Sequence, residues 1–411
     1  LATELKDALD IKAHLPLENN NLNLFRLLLM VKNTPSVSFK SNLDYDGRKF
    51  YIVSIKGTAY EMGLAYGTLL KNELKVMEKE FFEWAAGYVA NNVTEIGFLP
   101  KWFRMDLGHT AVSLVKRLLD VNYLITKKYT PERWNEEMKG VAKGSGVPAK
   151  TWRRINLIPE LLKASCSIGG WWGDATESGK LIQLRSLDWE EHAPISKFPL
   201  IAVYHPSEAG SVPFANIAWV GFLGSLTGYS SAKIGVSERL RGGPSDTMTR
   251  YGKPWTYALR DVLQFSKTID DALNNLNETK RTCSVYLGIG SSMNNTYRII
   301  EYSATELKIY DDTNWKYGNT HPNMRGMIWK AYVDNKPCFQ NHFVPRYGKI
   351  TPEDIWRYVA PRAETGDSQV IVMDYAHNHI YAMYPNPVTK QPGFQRPAIK
   401  IDLNPHFNEK W

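Results

Sequence analysis

Apolar residues follow two different rhythms along this chain. From Tyr60 to Glu80 they fall at helical spacing (Met62, Ala65, Tyr66, Leu69, Leu70, Leu74, Met77), and Phe81 to Asn91 continues the pattern. Ala111 to Lys127 and Pro131 to Ala142 repeat it, the latter with Pro131 near its start and Gly144 near its end. Ahead of these helices Lys49 to Ile55 predicts one short strand. From Cys166 onward the rhythm shortens to strand-sized apolar runs: Leu200 to Tyr204, Ile217 to Phe222, Lys233 to Ser237, Val285 to Ile289, Tyr297 to Tyr302 and Val370 to Tyr375. Trp255 to Phe265 and Thr268 to Leu276 interrupt them as helix. Cys166 to Trp172 and Lys180 to Trp189, separated by a polar, Gly-containing turn, predict a β-hairpin headed by Cys166. Helices before and strands after suit two sheets packed face to face under helices.

Composition narrows the picture. The 411 residues are 43% hydrophobic and 22% charged, enough to bury a large core. The best apolar run, Leu24 to Val31, is too short for a membrane span and carries Arg26. The chain lacks an initiator Met and an apolar leader, so we expect that a signal peptide has been removed or that the sequence begins inside the protein. Net charge is +8, which would favour an anionic membrane surface or a polyanionic matrix; with Lys and Arg scattered and no nucleic-acid motif, an ordinary basic surface is the preferred reading. Asn92, Asn277 and Asn294 each head a glycosylation triplet, and three together point to secretion.

The hairpin carries a specific string, C-S-x-x-x-x-W-G-x-A-T-x-x-G-K-L-x-x-x-R-x-L-D-W, beginning at Cys166 and ending at Trp189. Upstream lie Gly57-Thr-Ala-Tyr-Glu-Met-Gly-Leu-Ala-Tyr-Gly67, Glu136-Glu-Met-Lys-Gly-Val-Ala-Lys-Gly-Ser-Gly-Val-Pro148 and Asn156-Leu-Ile-Pro-Glu160; downstream lies Thr227-Gly-Tyr-Ser-Ser-Ala-Lys-Ile-Gly-Val-Ser237. Taken together these resemble the cysteine branch of the N-terminal-nucleophile (Ntn) hydrolases, the penicillin acyltransferase-like enzymes related to choloylglycine hydrolases and acid ceramidases. The resemblance is strongest before residue 240.

That resemblance implies an α+β protein with a four-layer αββα sandwich, the Ntn-hydrolase fold. It also implies a precursor that cuts itself between Ser165 and Cys166, leaving a largely helical segment 1–165 packed on a β-rich segment 166–411 in one integrated domain. The products would form a heterodimer of self-cleaved chains. No cofactor and no metal are implied. Cys166 would be the nucleophile, activated by its own new α-amine, whose ordinary pKa of about 7.7–8.0 suits a base near neutrality. Arg185 would favour the thiolate and Asp188 would orient the amine. Residues 185 and 188 have opposite strand parity, so a bulge near Ser186, or a strand ending there, is expected to aim both at the thiol.

Oxyanion donors are harder to find. The family's Asn positions align here with Ser230 and loosely with Thr282, so main-chain groups near Tyr229 or the hydroxyls of Ser230 and Thr282 are the candidates, with plain loop and strand roles as the alternative. Trp171, Trp172, Trp189 and Trp219 are candidates for an apolar acyl pocket, and Glu238 for a pocket residue of unassigned role. If Cys166 stays a free thiol, Cys283 and Cys338 are left as a disulfide pair; the alternative is three unpaired thiols. His377 and His379 lack a nearby third ligand in the sequence and read as structural. The loop Asn319 to Asn323 resembles a pocket rim, and Gly288-Ile-Gly290 lacks a dinucleotide context.

Two functional classes remain. One is a self-processing cysteine amidohydrolase or acyltransferase acting on a non-peptide amide of a small molecule or lipid, such as an N-acyl lipid or N-acyl amino compound, secreted or lysosomal. The other is a catalytically weak secreted binding or scaffold glycoprotein with the same fold. A papain-like protease using Cys166 with a distant His is a third, without a motif.

Overall fold

Apolar runs with little alternation, such as Pro199–Pro206, become strands covered on both faces. In the computed structural model, which describes residues 25–30, 37–45, 49–91, 111–160, 165–189, 193–241, 247–315, 323–331, 338–363, 365–386 and 388–409, these strands build two sheets. In chain order the described elements are β1 (Phe25–Met30), β2 (Val37–Asp44), β3 (Lys49–Gly57), α1 (Ala59–Leu69), α2 (Lys71–Asn91), α3 (Ala111–Thr126), α4 (Glu132–Ser145) and α5 (Ala149–Leu157). Then follow β4 (Ser165–Trp171), β5 (Ile182–Asp188), β6 (Pro199–Pro206), β7 (Phe214–Trp219), β8 (Gly228–Ser230), β9 (Ile234–Leu240), α6 (Trp255–Phe265) and α7 (Ile269–Glu278). Strands β10 (Val285–Ser291), β11 (Thr296–Tyr302), β12 (Leu307–Tyr310), β13 (Met327–Lys330), β14 (Gln369–Asp374), β15 (His379–Met383) and β16 (Ile399–Asp402) complete the sheets.

The larger sheet has ten strands in the order β1-β2-β3-β6-β7-β8-β9-β10-β11-β12, and the smaller has six, β13-β4-β5-β14-β15-β16. All pairings are antiparallel except β3 with β6, where Tyr51 meets Leu200 in a parallel ladder. Through that ladder the segment before Cys166 and the segment after it share one sheet. The expectation of a single strand before the helices falls short, because β1 and β2 extend the same sheet.

The sheets pack face to face through close, partly polar contacts. Gln183 of β5 donates to Ser237 Oγ of β9 at 3.0 Å, and Tyr375 Oη donates to Gln183 Oε1 at 2.5 Å. Helices cover both outer faces: α1 lies against β3 and α6 against β7 to β9, while the helical run Pro352–Arg362 lies against β14. The result is the αββα sandwich.

The glycine-rich strings ahead of Cys166 acquire a packing meaning. Helices α1 and α4 cross at backbone distance through Gly63 and Gly67 on one and Gly140 and Gly144 on the other. A methyl group at any of these four would sit inside the van der Waals envelope of a facing carbonyl oxygen, from Glu137, Val141, Tyr60 and Leu64 respectively. Gly146 ends α4 in the left-handed region, φ +79°, two residues beyond the Gly144 that the pattern suggested. Glu137, from the same string, forms a buried bidentate pair with Arg260 of α6 at 2.9 and 2.7 Å. Asn156 holds the loop before β8, accepting from the N–H groups of Leu223 and Gly224 at 2.6 and 3.0 Å.

Replacing Gly140 by Ala is expected to destabilise the protein by about 3 kcal/mol, the upper end of overpacking costs, since the obstacle is backbone and cannot rotate away. Gly87→Ala, on an exposed turn of α2 where an added methyl meets nothing within 4 Å, should instead stabilise by about 0.5–1 kcal/mol. Urea denaturation midpoints of the two variants against wild type check both signs.

Candidate active site

The hairpin of β4 and β5 pairs Ser165 with Asp188, Cys166 with Leu187, Ile168 with Arg185 and Trp171 with Ile182. The register runs unbroken from 182 to 188 on both edges of β5, so the expected bulge near Ser186 is absent. Strand alternation is kept instead. Arg185 reaches toward the thiol, whereas Asp188, the last residue of β5, accepts the N–H groups of Gly366 and Asp367 at 2.5 and 3.0 Å. Its place opposite Ser165 sets it beside the Ser165–Cys166 peptide bond.

Cys166 is buried, and three groups converge on its Sγ. Glu238 Oε1 lies 3.7 Å away, Arg185 Nη2 lies 4.0 Å away, and the N–H of Leu240 is directed at the sulfur. Arg185 and Glu238 are bound to each other at 2.6 Å, both fully buried. Arg185 Nη1 donates to Gln369 Oε1 at 2.9 Å; Gln369 in turn donates to Tyr384 Oη at 2.7 Å, and Tyr384 Oη donates to the Ala218 carbonyl at 3.1 Å. A hydroxyl chain runs alongside: Ser186 Oγ meets Thr365 Oγ1 at 2.6 Å, and Thr365 Oγ1 donates to Ser167 Oγ at 2.9 Å.

Electrostatics follow from this burial. The Cys166 thiol is pushed up, first by desolvation and then by the Glu238 charge, with Arg185 opposing. Glu238 is raised by burial against the pull of Arg185. Asp188 is raised to about 6, chiefly by burial, with the two N–H donors holding it back. In the uncut chain the guanidinium is therefore engaged by a carboxylate, and the thiol is held in its protonated form.

Several sequence candidates fall elsewhere. Trp171 and Trp172 stand at the far end of β4 from Cys166, five or more residues of strand or roughly 16 Å away, where Trp171 packs on Phe343. Trp189 and Trp219 lie at the Cys166 end of the hairpin: Trp189 follows Asp188 and meets Trp84 and Trp219 edge-on at centroid distances of 5.9 and 6.4 Å. Neither Tyr229 nor Ser230 is directed at the thiol. Tyr229 Oη donates to Asn378 at 2.9 Å, Ser230 Oγ accepts from Ile234 N at 3.3 Å, and Tyr229 pairs with Gly235, three residues short of Glu238. Thr282 Oγ1 donates instead to Glu160 Oε1 at 3.1 Å.

Glu160 also corrects the cysteine assignment. Cys283 is a free buried thiol whose Sγ lies 3.2 Å from Glu160 Oε2, so the Cys283–Cys338 disulfide is not formed. Cys338 opens the helix Cys338–Phe343, and its side chain lies outside the described residues. Asn277 and Asn294 are exposed, whereas Asn92, the loop 319–322 and the run 161–164 fall outside the described residues. Among the described residues no helix is long and apolar enough to cross a membrane. His377 and His379 do have a third donor beside them, Asp374, contrary to the expectation from the sequence.

Protein dcd1A of Dictyostelium discoideum is 35% identical over 386 residues, covering 87% of this chain and 86% of that protein. This chain belongs to the dcd1 family. Protein dcd1B of the same organism is 33% identical over 389 residues, covering 89% of the chain and 76% of its own length. An uncharacterized protein of Archaeoglobus fulgidus is 23% identical over 378 residues, covering 82% of the chain and 60% of that protein. No protein-family model matches. Among solved structures, the Caenorhabditis elegans N-acylethanolamine-hydrolyzing acid amidase ortholog aligns with a TM-score of 0.41 at 14% identity, covering 57% of this chain and 100% of that one. Penicillin V acylase from Agrobacterium tumefaciens aligns at 0.34 and 11%, covering 60% and 94%.

The raised pKa of Asp188 makes a signed prediction. The native state binds its proton more tightly than the unfolded chain, so this residue's contribution to stability is present below the ordinary pKa near 3.8 and lost as pH rises through about 6. In a Cys166→Ala background, Asp188→Asn should remove that loss, making the stability difference between pH 4 and pH 7 smaller in urea titrations than in the parent.

Proposed function

We propose that this chain is a self-processing cysteine amidohydrolase or acyltransferase acting on non-peptide amides. The observation that carries the reading is the convergence of Arg185, Glu238 and the Leu240 N–H on the Cys166 sulfur, with Asp188 beside the bond that precedes it. In the precursor Glu238 accepts the thiol proton as Sγ bonds to the Ser165 carbonyl carbon, and the C–N bond to Cys166 breaks as its nitrogen is protonated. Water then hydrolyses the Ser165 thioester. The products are a Ser165 carboxylate, a free thiol and a new α-amine able to serve as base for the next acyl transfer, with Asp188 to orient it. Substrate turnover repeats the sequence: thioester formation on Cys166 with loss of the amine, then transfer of the acyl group to water or to a second amine.

The aromatic residues at this end of the hairpin support a substrate class. Trp84, Trp189, Trp219 and Tyr384 gather in edge-on contacts at the Asp188 end of the hairpin. An extended acyl chain gains most from such surroundings, at roughly 0.8 kcal/mol per buried methylene. A net charge of +8 supports substrates that are anionic or presented at an anionic surface. We therefore propose N-acyl lipids or N-acyl amino compounds, handled in a secreted or lysosomal compartment; the exposed Asn277 and Asn294 support glycosylation there.

One observation favours a second reading. Tyr229, Ser230 and Thr282 all bond away from the thiol, and the amide of Gln369 is engaged on both sides, so a binding or scaffold glycoprotein with slow turnover fits a site short of oxyanion donors.

Wild-type protein is expected to resolve under denaturing electrophoresis into two fragments, the larger beginning at Cys166, and Cys166→Ala into one uncut chain. Cutting of the variant at 165/166 would make an external protease responsible; an intact wild type would favour the scaffold reading. Processed protein assayed on N-acyl amides of increasing chain length should give rates that rise with length and vanish on alkylation of Cys166. Activity confined to short peptides overturns the substrate class.

A further inference from the structure

The connection between β14 and β15 brings together the side chains of a D-x-x-H-x-H run. Asp374 ends β14 and pairs directly with His379 at the start of β15, while the turn between them carries His377 and is closed by Asn378 in the left-handed region, φ +58°. The two imidazoles lie nearly parallel, 5.3 Å apart at 16°. Asp374 is buried, and its two oxygens are divided in use. Oδ1 accepts the Ala376 N–H at 2.9 Å, which locks the carboxylate in place; Oδ2 faces the histidines, 2.7 Å from His377 Nδ1 and 4.0 Å from His379 Nδ1.

One donor from each of the three residues lies within 4.8 Å of the others, a spread that a bound ion with ligand distances near 2.0–2.2 Å would draw together by small side-chain rotations. A second observation points the same way. His379 Nδ1 is enclosed, yet it has no hydrogen-bond partner among the described residues, although buried ring nitrogens are ordinarily paired. Two neighbours on β16 and beyond do not compete for it: Asp402 Oδ1 accepts from Asn404, and Asn404 donates in addition to the His377 carbonyl.

We propose that Asp374, His377 and His379 form a binding site for a divalent transition-metal ion, best matched by Zn²⁺. Two imidazoles and one carboxylate suit that class, whereas Mg²⁺ and Ca²⁺ demand an all-oxygen set. Three protein ligands leave the fourth tetrahedral position to solvent or to a small anion. The site sits at the opposite end of β14 from Gln369, five residues or roughly 16 Å along the strand, so it is separate from the thiol chemistry. Its structural effect is to pin the β14–β15 turn, whose Asn378 also accepts from Tyr229 of the other sheet.

The test is equilibrium dialysis of the untagged full chain against micromolar Zn²⁺, with metal counted by elemental analysis. Wild type should retain one equivalent. His379→Ala and the double variant His377→Ala/His379→Ala should retain less than a tenth of that, and Asp374→Asn should weaken binding at least tenfold. Wild type loaded with Co²⁺ should show visible d–d absorption typical of tetrahedral coordination, lost on adding excess Zn²⁺. Absence of retained Zn²⁺ in wild type overturns the proposal whether or not the variants fold. Equal retention by folded double variant, checked by circular dichroism, overturns it by placing the ion elsewhere.

Discussion

A buried guanidinium between two sheets is the constraint around which this protein is arranged. Arg185 has no measurable exposure, and an isolated charge in such a place would cost several kcal/mol. It is tolerated because Glu238 of the ten-stranded sheet neutralises it and Gln369 of the six-stranded sheet takes a second N–H. One side chain therefore ties β5 to β9 and to β14 at once. The sheets must approach to a fixed separation and register for these bonds to form, and the sulfur of Cys166 is carried to the same point because β4 pairs with β5. Breaking the pair would strand a charge in the core, so the contact that supports the Cys166 thiol also supports the packing around it.

On the proposed reading, that arrangement would give the cysteine a two-stage character. In the uncut chain the carboxylate binds the cation more closely than the sulfur does, 2.6 against 4.0 Å, and burial opposes the thiolate. In the proposed chemistry activation would come from a new charge, the α-amine released by cutting before Cys166. Asp188, raised to about 6 and opposite Ser165, would be its counter-ion on that reading.

The hairpin was legible in the sequence because its signals are local: apolar strands, a polar turn with Gly179 in the left-handed region, and Arg185 and Asp188 a few residues apart. The glycine strings were legible as motifs, but their reason, backbone contact between α1 and α4, needs two segments some seventy residues apart to be seen together. Glu238 was visible only as a residue without a role, since 53 positions separate it from Arg185. Gln369 was missed outright, 184 positions away in a run of Ser, Gln and Val that reads simply as strand. The tryptophans misled because adjacency to the cysteine in sequence is distance along a strand: Trp171 is carried to the far end of β4, while Trp219, much later in the chain, folds back beside Trp189. Thr282 and Cys283 belong to a separate buried cluster around Glu160, which no local pattern announced.

The parallel ladder of β3 with β6 has a thermodynamic corollary. It joins residues on opposite sides of the Ser165–Cys166 bond within one continuous sheet, so scission there would leave the fold's hydrogen bonds intact while doubling the number of molecules released on unfolding. Folding of the precursor is a first-order event. Reassembly of the two fragments would be second-order, with a midpoint that shifts with protein concentration and a translational entropy cost the precursor never meets. If the proposed cut occurs, the protein would fold once as one chain and thereafter owe its persistence to the slowness of coming apart.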